Sequence, residues 1–352
     1  YYNGGQGPVK VEDGDLYTWT ESVTVTARWL ATAVDVTLDA DGGTVNGEST
    51  VSVQPGGEIG ALPDASKEGF TFMFWTYNGE KVEEGDVFTP VDDNYTFVAA
   101  YTEYFTPGLT FSLGSDGYRV IGTGVTDENV IIPSTYNDAM TGGSYGELPV
   151  TEVWSFANNK NIKTVQLPET ITSLGASVFS GCTNLTGIEI PAKVTIIPGN
   201  AFKNCAGITE IDLTGITEIG SMAFDGTGLT SVNIPATVTT IGMGAFSSCM
   251  NLTEITFEEG VNITEIPDNF ASQSALATIV LPESVQTIGM RAFNMTNLTA
   301  IAFSANVTEI GTYAFQACDK LVDITFAEGE AVLAIGKQAF ENTAWTELTL
   351  TS

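Results

Sequence analysis

Histidine is absent from this sequence of 352 residues. Without an imidazole the chain cannot build a Ser-His or Cys-His nucleophile, or a zinc site with His ligands. Basic residues are scarce: 12 Lys and Arg face 43 Asp and Glu, for a net charge of −31. That balance argues against nucleic acid and anionic membrane surfaces as partners. No apolar run approaches the ~18 residues of a membrane span, so membrane insertion of this chain is not expected. No secretory leader is recognisable, and the sequence opens on Tyr1. With 43 acids available, a carboxylate pair picked out by eye carries no meaning, so no catalytic residue, metal ligand or cofactor site is assigned. The chain is read as not an enzyme.

What is present is a repeat. Phenylalanine, usually after Ala, recurs at Phe156, Phe179, Phe202, Phe224, Phe246, Phe270, Phe293, Phe315 and Phe340, at spacings of 22 to 25 residues. A large apolar residue follows each, as Leu252 follows Phe246, and then an alternating pair such as Ile255/Phe257. Each unit is too short to bury these residues alone, so they must meet their counterparts one repeat away. A glycine precedes most of the rings (Gly175, Gly220, Gly242, Gly289, Gly311, Gly336) and marks a tight corner; Pro198 and Pro267 stand at two others. The stretches around the rings are too short for independent helices and are expected to form 3-10 or single helical turns.

The four cysteines, Cys182, Cys205, Cys249 and Cys318, each lie three residues after a repeat Phe. Thr227, Thr296 and Thr343 fill the same position elsewhere, which reads as a core slot for small side chains. Adjacent rungs ~5 Å apart also leave a Cys182–Cys205 disulfide open.

The front of the chain repeats differently. "VEDGDLYT" at 11–18 matches "VEEGDVFT" at 82–89, and "GFTFMFWTYNGEKV" at 69–82 reads as two strands around Asn78-Gly79. Residues 31–103 then form one β-rich module. Residues 1–30 are the back half of an earlier copy, so the chain reads as an excerpt of a longer protein. Residues 104–150 are expected to cap the ladder, with a hairpin in 108–124 and a loop at "AMTGGSYGELP", and residues 151–352 to form the ladder itself. In the last rung Trp345 replaces the usual Leu; it is expected to fold over the open end, leaving a monomer.

The consensus I-P-x-x-V-T-x-I-G-x-x-A-F-x-x-C-x-x-L-T-x-I, as in "PATVTTIGMGAFSSCMNLTEITF" at 235–257, resembles the BspA-like leucine-rich repeats. The resemblance covers roughly 104–352. It implies a right-handed solenoid, mainly β, on the surface of bacteria or of parasitic protists, with adhesion or protein–protein binding as its role. The front module resembles the Listeria–Bacteroides repeat through "DADGG" (39–43), "GFTFMFW" (69–75) and "VAAY" (98–101), with Asp41, Phe74 and Tyr101 departing from the pattern. That resemblance implies a small β-grasp-like module of secreted surface proteins.

Two short motifs read as incidental. "DADGG" lacks the Glu that closes an EF-hand loop, since Thr50 stands there. "LPVTE" at 148–152 has Glu152 where a sortase signal needs Gly. The residues between the buried ones give a solvent-facing strand surface. On it Glu189, Glu210, Asp212 and Glu254 form a candidate acidic cluster beside the apolar Val280, Ala300 and Ala302. These seven are the candidate binding residues, for host or bacterial surface proteins or matrix proteins met outside the cell. The alternatives are a spacer that presents another domain, and a carboxylate-based glycan hydrolase; the lack of aromatic residues on the strand face counts against the last.

Overall fold

A computed structural model describes residues 2–3, 8–9, 32–90, 95–138, 145–327, 333–346 and 349–350. The chain divides into two compact units, Tyr1–Thr102 and Glu103–Ser352.

In the first unit Val34–Asp39 lies inside a five-stranded sheet, antiparallel to Thr50–Val53 and parallel to Thr96–Glu103. Phe70–Tyr77 and Glu80–Val82 form the hairpin expected of Asn78-Gly79, whose φ angles of 50° and 83° are those of a type I′ turn. Val36, Leu38, Trp75, Phe88 and Phe97 are buried between them. No helix crosses this sheet among the described residues, so the expected β-grasp module is not confirmed. "DADGG" is a turn in which an Asp39 carboxylate oxygen accepts the Asp41 N–H, while Lys67 donates to the Asp41 carbonyl at 2.9 Å. Of residues 1–31 only a short antiparallel pair, Tyr2–Asn3 with Pro8–Val9, is described; the rest of the expected half-module lies outside the described residues.

The second unit opens with the expected hairpin, Thr110–Leu113 against Tyr118–Ile121. The expected loop is in part a strand. Glu147–Trp154 pairs with Thr135–Asn137 on one side and with Tyr118–Ile121 on the other, so "LPVTE" is interior sheet; residues 139–144 lie outside the described residues. Phe105, Phe111, Tyr118 and Tyr136 form an aromatic cluster there, with Phe111 and Tyr136 stacked 3.9 Å apart. Arg119 ties the same segment together: it donates to Glu152 at 2.9 Å and lies over the Trp154 ring.

From there the chain is a solenoid of about eight turns, all strand and turn. Most rungs give one short strand to a front row and one to a back row, and the paired strands in a row run parallel. The front row begins with Asn129–Ile131, Thr164–Gln166 and Gly187–Ile188. The back row runs through pairs such as Glu218–Ile219 and Thr240–Ile241. Between back strand and front strand lies the phenylalanine corner. Eight of the rings, Phe156 to Phe315, are 0% exposed and stand in a single column with centroids 5.1–5.9 Å apart. The amide beside each ring donates to the next rung: Phe179 to Ala201, Phe202 to Ala223 and Phe224 to Ala245, at 2.8–2.9 Å.

The corners are turns and not the expected helical pieces; residues 151–346 contain no helix among those described. The cause is a pair of left-handed residues flanking the ring, at most corners two before it and two after it. Asn200 and Asn204 flank Phe202 at φ 57° and 59°, and Tyr313 and Ala317 flank Phe315 at 62° and 57°. A left-handed residue every four positions redirects the chain before a helical run can propagate.

The corner glycines have another origin. Gly242 has no left-handed φ, but a Cβ there would lie 2.3 Å from the backbone nitrogen of Ser221, one rung back. Gly220, Gly289, Gly311 and Gly336 meet the preceding rung in the same way. Glycine lets neighbouring corners close to a 2.7 Å bond, as from Gly242 N–H to the Ile219 carbonyl.

One rung is out of frame. In the regular corners the residue before the ring accepts from the previous ring's amide. At the sixth corner that acceptor is Phe270 itself, and Ala271 donates onward to Ala292. Phe270 therefore occupies the alanine position and Ala271 the phenylalanine position. The ring still fills the column, but edge-on, at 82° to Phe246 and 78° to Phe293, whereas Phe202, Phe224 and Phe246 stack within 3–8°.

The cysteines are free and fully buried, so Cys182 and Cys205 do not pair. Each thiol donates to the carbonyl of the previous ring: Cys182 to Phe156 and Cys205 to Phe179, at 3.1 and 3.0 Å. Thr227 and Thr296 fill the slot with a hydroxyl that donates to the ring carbonyl of their own rung at 2.9 Å. The slot thus selects a small donor, not merely a small side chain. Burial pushes the thiols up, Cys182 to about 11 and Cys205 to about 12. At the last described corner Trp345 packs on Phe340, 5.4 Å between rings.

Two expectations follow for the folded unit. Phe224→Ala leaves two neighbouring rings uncovered and is expected to cost ~3–5 kcal/mol in urea unfolding, while Gly242→Ala, which meets unyielding backbone, costs about 1–3 kcal/mol. A loss under ~1 kcal/mol at Phe224 contradicts the column as the main source of stability. For the thiols, a disulfide-exchange reagent at pH 8 should label none of the four in the native protein and all four after denaturation, since the reactive thiolate is absent. Fewer than four in the denatured state means that a pair is oxidised.

Candidate binding face

The front row presents the residues between the buried ones. Parallel pairing sets Ser231, Glu254 and Thr278 in one line and Asn233 beside Thr256 in the other. Further along, Ala300 faces Asp323 and Ala302 faces Thr325. All seven candidate residues, Glu189, Glu210, Asp212, Glu254, Val280, Ala300 and Ala302, are exposed. Their neighbours on the opposite side of each strand, such as Val232, Ile255, Ile279 and Ile301, are buried.

The structure separates the acids more than the sequence implies. Glu254 has Ser231 and Thr278 as its register partners, neither of them acidic. Glu210 belongs to the rung before Ser231, so it stands two rungs from Glu254, roughly 10 Å at ~4.8 Å per rung. Residues 208–213 form no ladder strand, contrary to the expectation for Ile211/Leu213. Here Asp212 accepts the Thr214 N–H at 2.9 Å and the Thr214 hydroxyl at 2.7 Å, and this local turn competes with strand pairing. The same two bonds hold the Asp212 carboxyl below its ordinary value, so it stays charged on the surface.

Val280 is 84% exposed, the highest value among the exposed large apolar residues described. It borders a groove of about 840 Å³ between the rungs of 254–262 and 278–284. Phe257, Val261, Val280, Leu281 and Pro282 supply its apolar lining, and Glu254, Glu258, Glu259 and Glu283 its carboxylates; no Lys or Arg lines it. Glu258 is anchored: its two oxygens accept from the Asn233 side chain at 3.1 Å and the Ala236 N–H at 3.0 Å. Sequence reading found Glu254 and Val280 and missed Glu258, Glu259 and Glu283. The available signal was the longer repeat at this place, where "FEEGVNITEI" replaces the tighter "IPATVTTI".

Comparison with known proteins bears on this scaffold. The family described as BspA type Leucine rich repeat region matches residues 152–253 and 239–352, in six copies. The chain belongs to the BspA-type leucine-rich repeat family. Among solved structures, a leucine-rich repeat protein from Bacteroides ovatus is similar to this leucine-rich repeat chain in fold. It has TM-score 0.55 and 23% identity, with 71% of each chain covered. A leucine rich cell surface protein from Faecalibacterium prausnitzii matches at 22% identity over 71% of this chain and 94% of its own, with TM-score 0.32. The T. pallidum leucine rich repeat protein matches at 22% over 65% and 83%, with TM-score 0.38. No curated protein matches the chain.

Proposed function

We propose that this chain is a non-enzymatic binding protein, displayed at the surface of a bacterium or secreted from it, that engages other proteins through its front strand face. Membership of the BspA-type family supports the surface setting and the interaction role. The observation that carries the reading is the contrast between the two sides of the front strands. Inside, the residues repeat almost unchanged from rung to rung. Outside, Glu189, Glu210, Asp212 and Glu254 give way to Val280, Ala300 and Ala302, all exposed and none needed by the core. Variation that the fold does not require is available for recognition. Host or bacterial surface proteins and matrix proteins are the partners proposed, bound by a monomer. Among the described residues no helix is long and apolar enough to cross a membrane.

The test begins with the purified chain immobilised and exposed to matrix proteins and glycans. For any protein retained, the double reversal Glu210→Lys/Asp212→Lys should weaken binding several-fold and change its salt dependence, at a stability cost of about 1 kcal/mol from the lost Asp212–Thr214 bonds. The matching back-row reversal, Glu218→Lys/Glu309→Lys, should have little effect. Equal effects from both pairs, or none from the first, would remove the front face from consideration.

A further inference from the structure

The rung that carries the groove departs from the repeat in three ways at once. Its front strand Glu254–Phe257 runs on into Glu258-Glu259-Gly260 before the chain turns back, where the preceding rung goes directly from Ile234 to Pro235. Its corner has Pro267 in place of glycine. Its ring is out of frame, so that 25 residues separate Phe246 from Ala271, the equivalent position. A longer rung beside a shorter one cannot match it edge to edge, and the unmatched length is the groove. The buried side gains nothing from this: Phe270 still fills the column, though edge-on. Departures from a repeat that bring the core no benefit mark places where something other than folding is served.

The lining says what fits. The floor is apolar, and Val280 stands almost wholly in water beside it. The carboxylates are Glu254, Glu258, Glu259 and Glu283, with no basic residue in the lining to answer them. The anchoring of Glu258 to Asn233 and Ala236 comes from neutral donors, so its negative charge is left uncompensated. The whole chain carries −31, so a cationic partner is attracted from a distance as well as on contact.

We propose that this groove seats an extended, lysine- or arginine-bearing segment of a partner protein, with an apolar side chain of that segment on Val280 and Leu281 and its cations on the glutamates. An extended chain alternates its side chains between two faces, which lets one segment meet an apolar floor and acidic rims together. The proposal rests on the front-face reading and narrows it to one pair of rungs.

The probe is an end-capped peptide of alternating lysine and valine, with lysine–serine and glutamate–valine peptides as controls, titrated calorimetrically against the full chain. The lysine–valine peptide should bind, the lysine–serine peptide more weakly, and the glutamate–valine peptide not at all. Val280→Ser should weaken the first by about tenfold, the value of one buried aliphatic contact. Glu259→Gln/Glu283→Gln should weaken it several-fold and flatten its salt dependence. All three positions are exposed, so folding is not at stake. The control is Glu218→Gln/Glu309→Gln on the back row, which removes the same charge elsewhere. Equal losses from the two glutamate pairs would show general attraction to an acidic protein and overturn the proposal. So would an unchanged affinity in Val280→Ser, or no binding of the lysine–valine peptide. If the peptide fails while Glu210→Lys/Asp212→Lys still weakens a retained partner, the groove assignment falls and the front-face reading stands.

Discussion

The ladder depends on one contact repeated at every corner: a phenylalanine ring lying against the ring of the next rung while the amide beside it bonds across the same gap. The two interactions fix different things. The amide bond sets which residues stand opposite one another, and the ring column supplies the apolar area that makes the stack favourable. Neither survives in an isolated rung, whose ring would have water on both faces. Stability is therefore held between rungs more than within them, and each rung is only as secure as its neighbours. The small donor after the ring completes the arrangement. The Phe224 carbonyl accepts both the Thr227 hydroxyl of its own rung and the Cys249 thiol of the next. A buried carbonyl at a turn would otherwise have poor access to partners, so in most rungs this slot holds Thr or Cys, whose side chains can donate to it.

The same constraint explains how the sixth corner tolerates its exchange of Phe and Ala. What the column requires is a ring at a given height and an amide at a given height; they need not come from the same residue. At Phe270-Ala271 the ring arrives from one position earlier, and the backbone stays in step through Ala271. The ring must then enter from a different direction, which turns it edge-on to both neighbours. An edge-to-face pair is about as favourable as an offset stack, so the exchange carries little penalty. The slot after the ring moves too: Ser274, buried and three residues after Ala271, stands where Cys249 stands one rung earlier.

Most of the ladder could be read from the sequence, because a repeat shows its buried positions directly. The phenylalanines, the alternating pairs and the Asn78-Gly79 hairpin needed no structure to place. What escaped was whatever depends on the relation between two rungs, or on backbone conformation that side chains do not announce. The corner glycines were visible, but their cause was not, since a Cβ clash with Ser221 exists only once the rungs are stacked. The left-handed pairs around each ring fall on residues as unlike as Asn, Tyr and Ala, so short helical turns were the natural expectation. At Phe270 the visible ring anchored the reading, and the frame of the backbone lay one residue away. For the binding face, exposure was read correctly at all seven positions, while the Asp212 turn and the groove were not. The groove in particular comes from unequal lengths of adjacent rungs, and a consensus hides such differences by design.

Charge and shape then divide the work on the outer surface. A net charge of −31 favours solubility and opposes compaction; among the described residues most acids are exposed, and the buried Glu152 is paired with Arg119. Such a field draws in cationic partners but does not tell one from another, and at physiological salt it fades beyond ~8 Å. Discrimination must come from close contact. Along the front face the close-range features are few: the Asp212 turn, the exposed Val280, and the step between a long rung and a short one. Two of the three adjoin the same groove. An acidic surface with an apolar recess can therefore attract broadly and still hold selectively, since only a segment that places an apolar side chain between its cations gains from both.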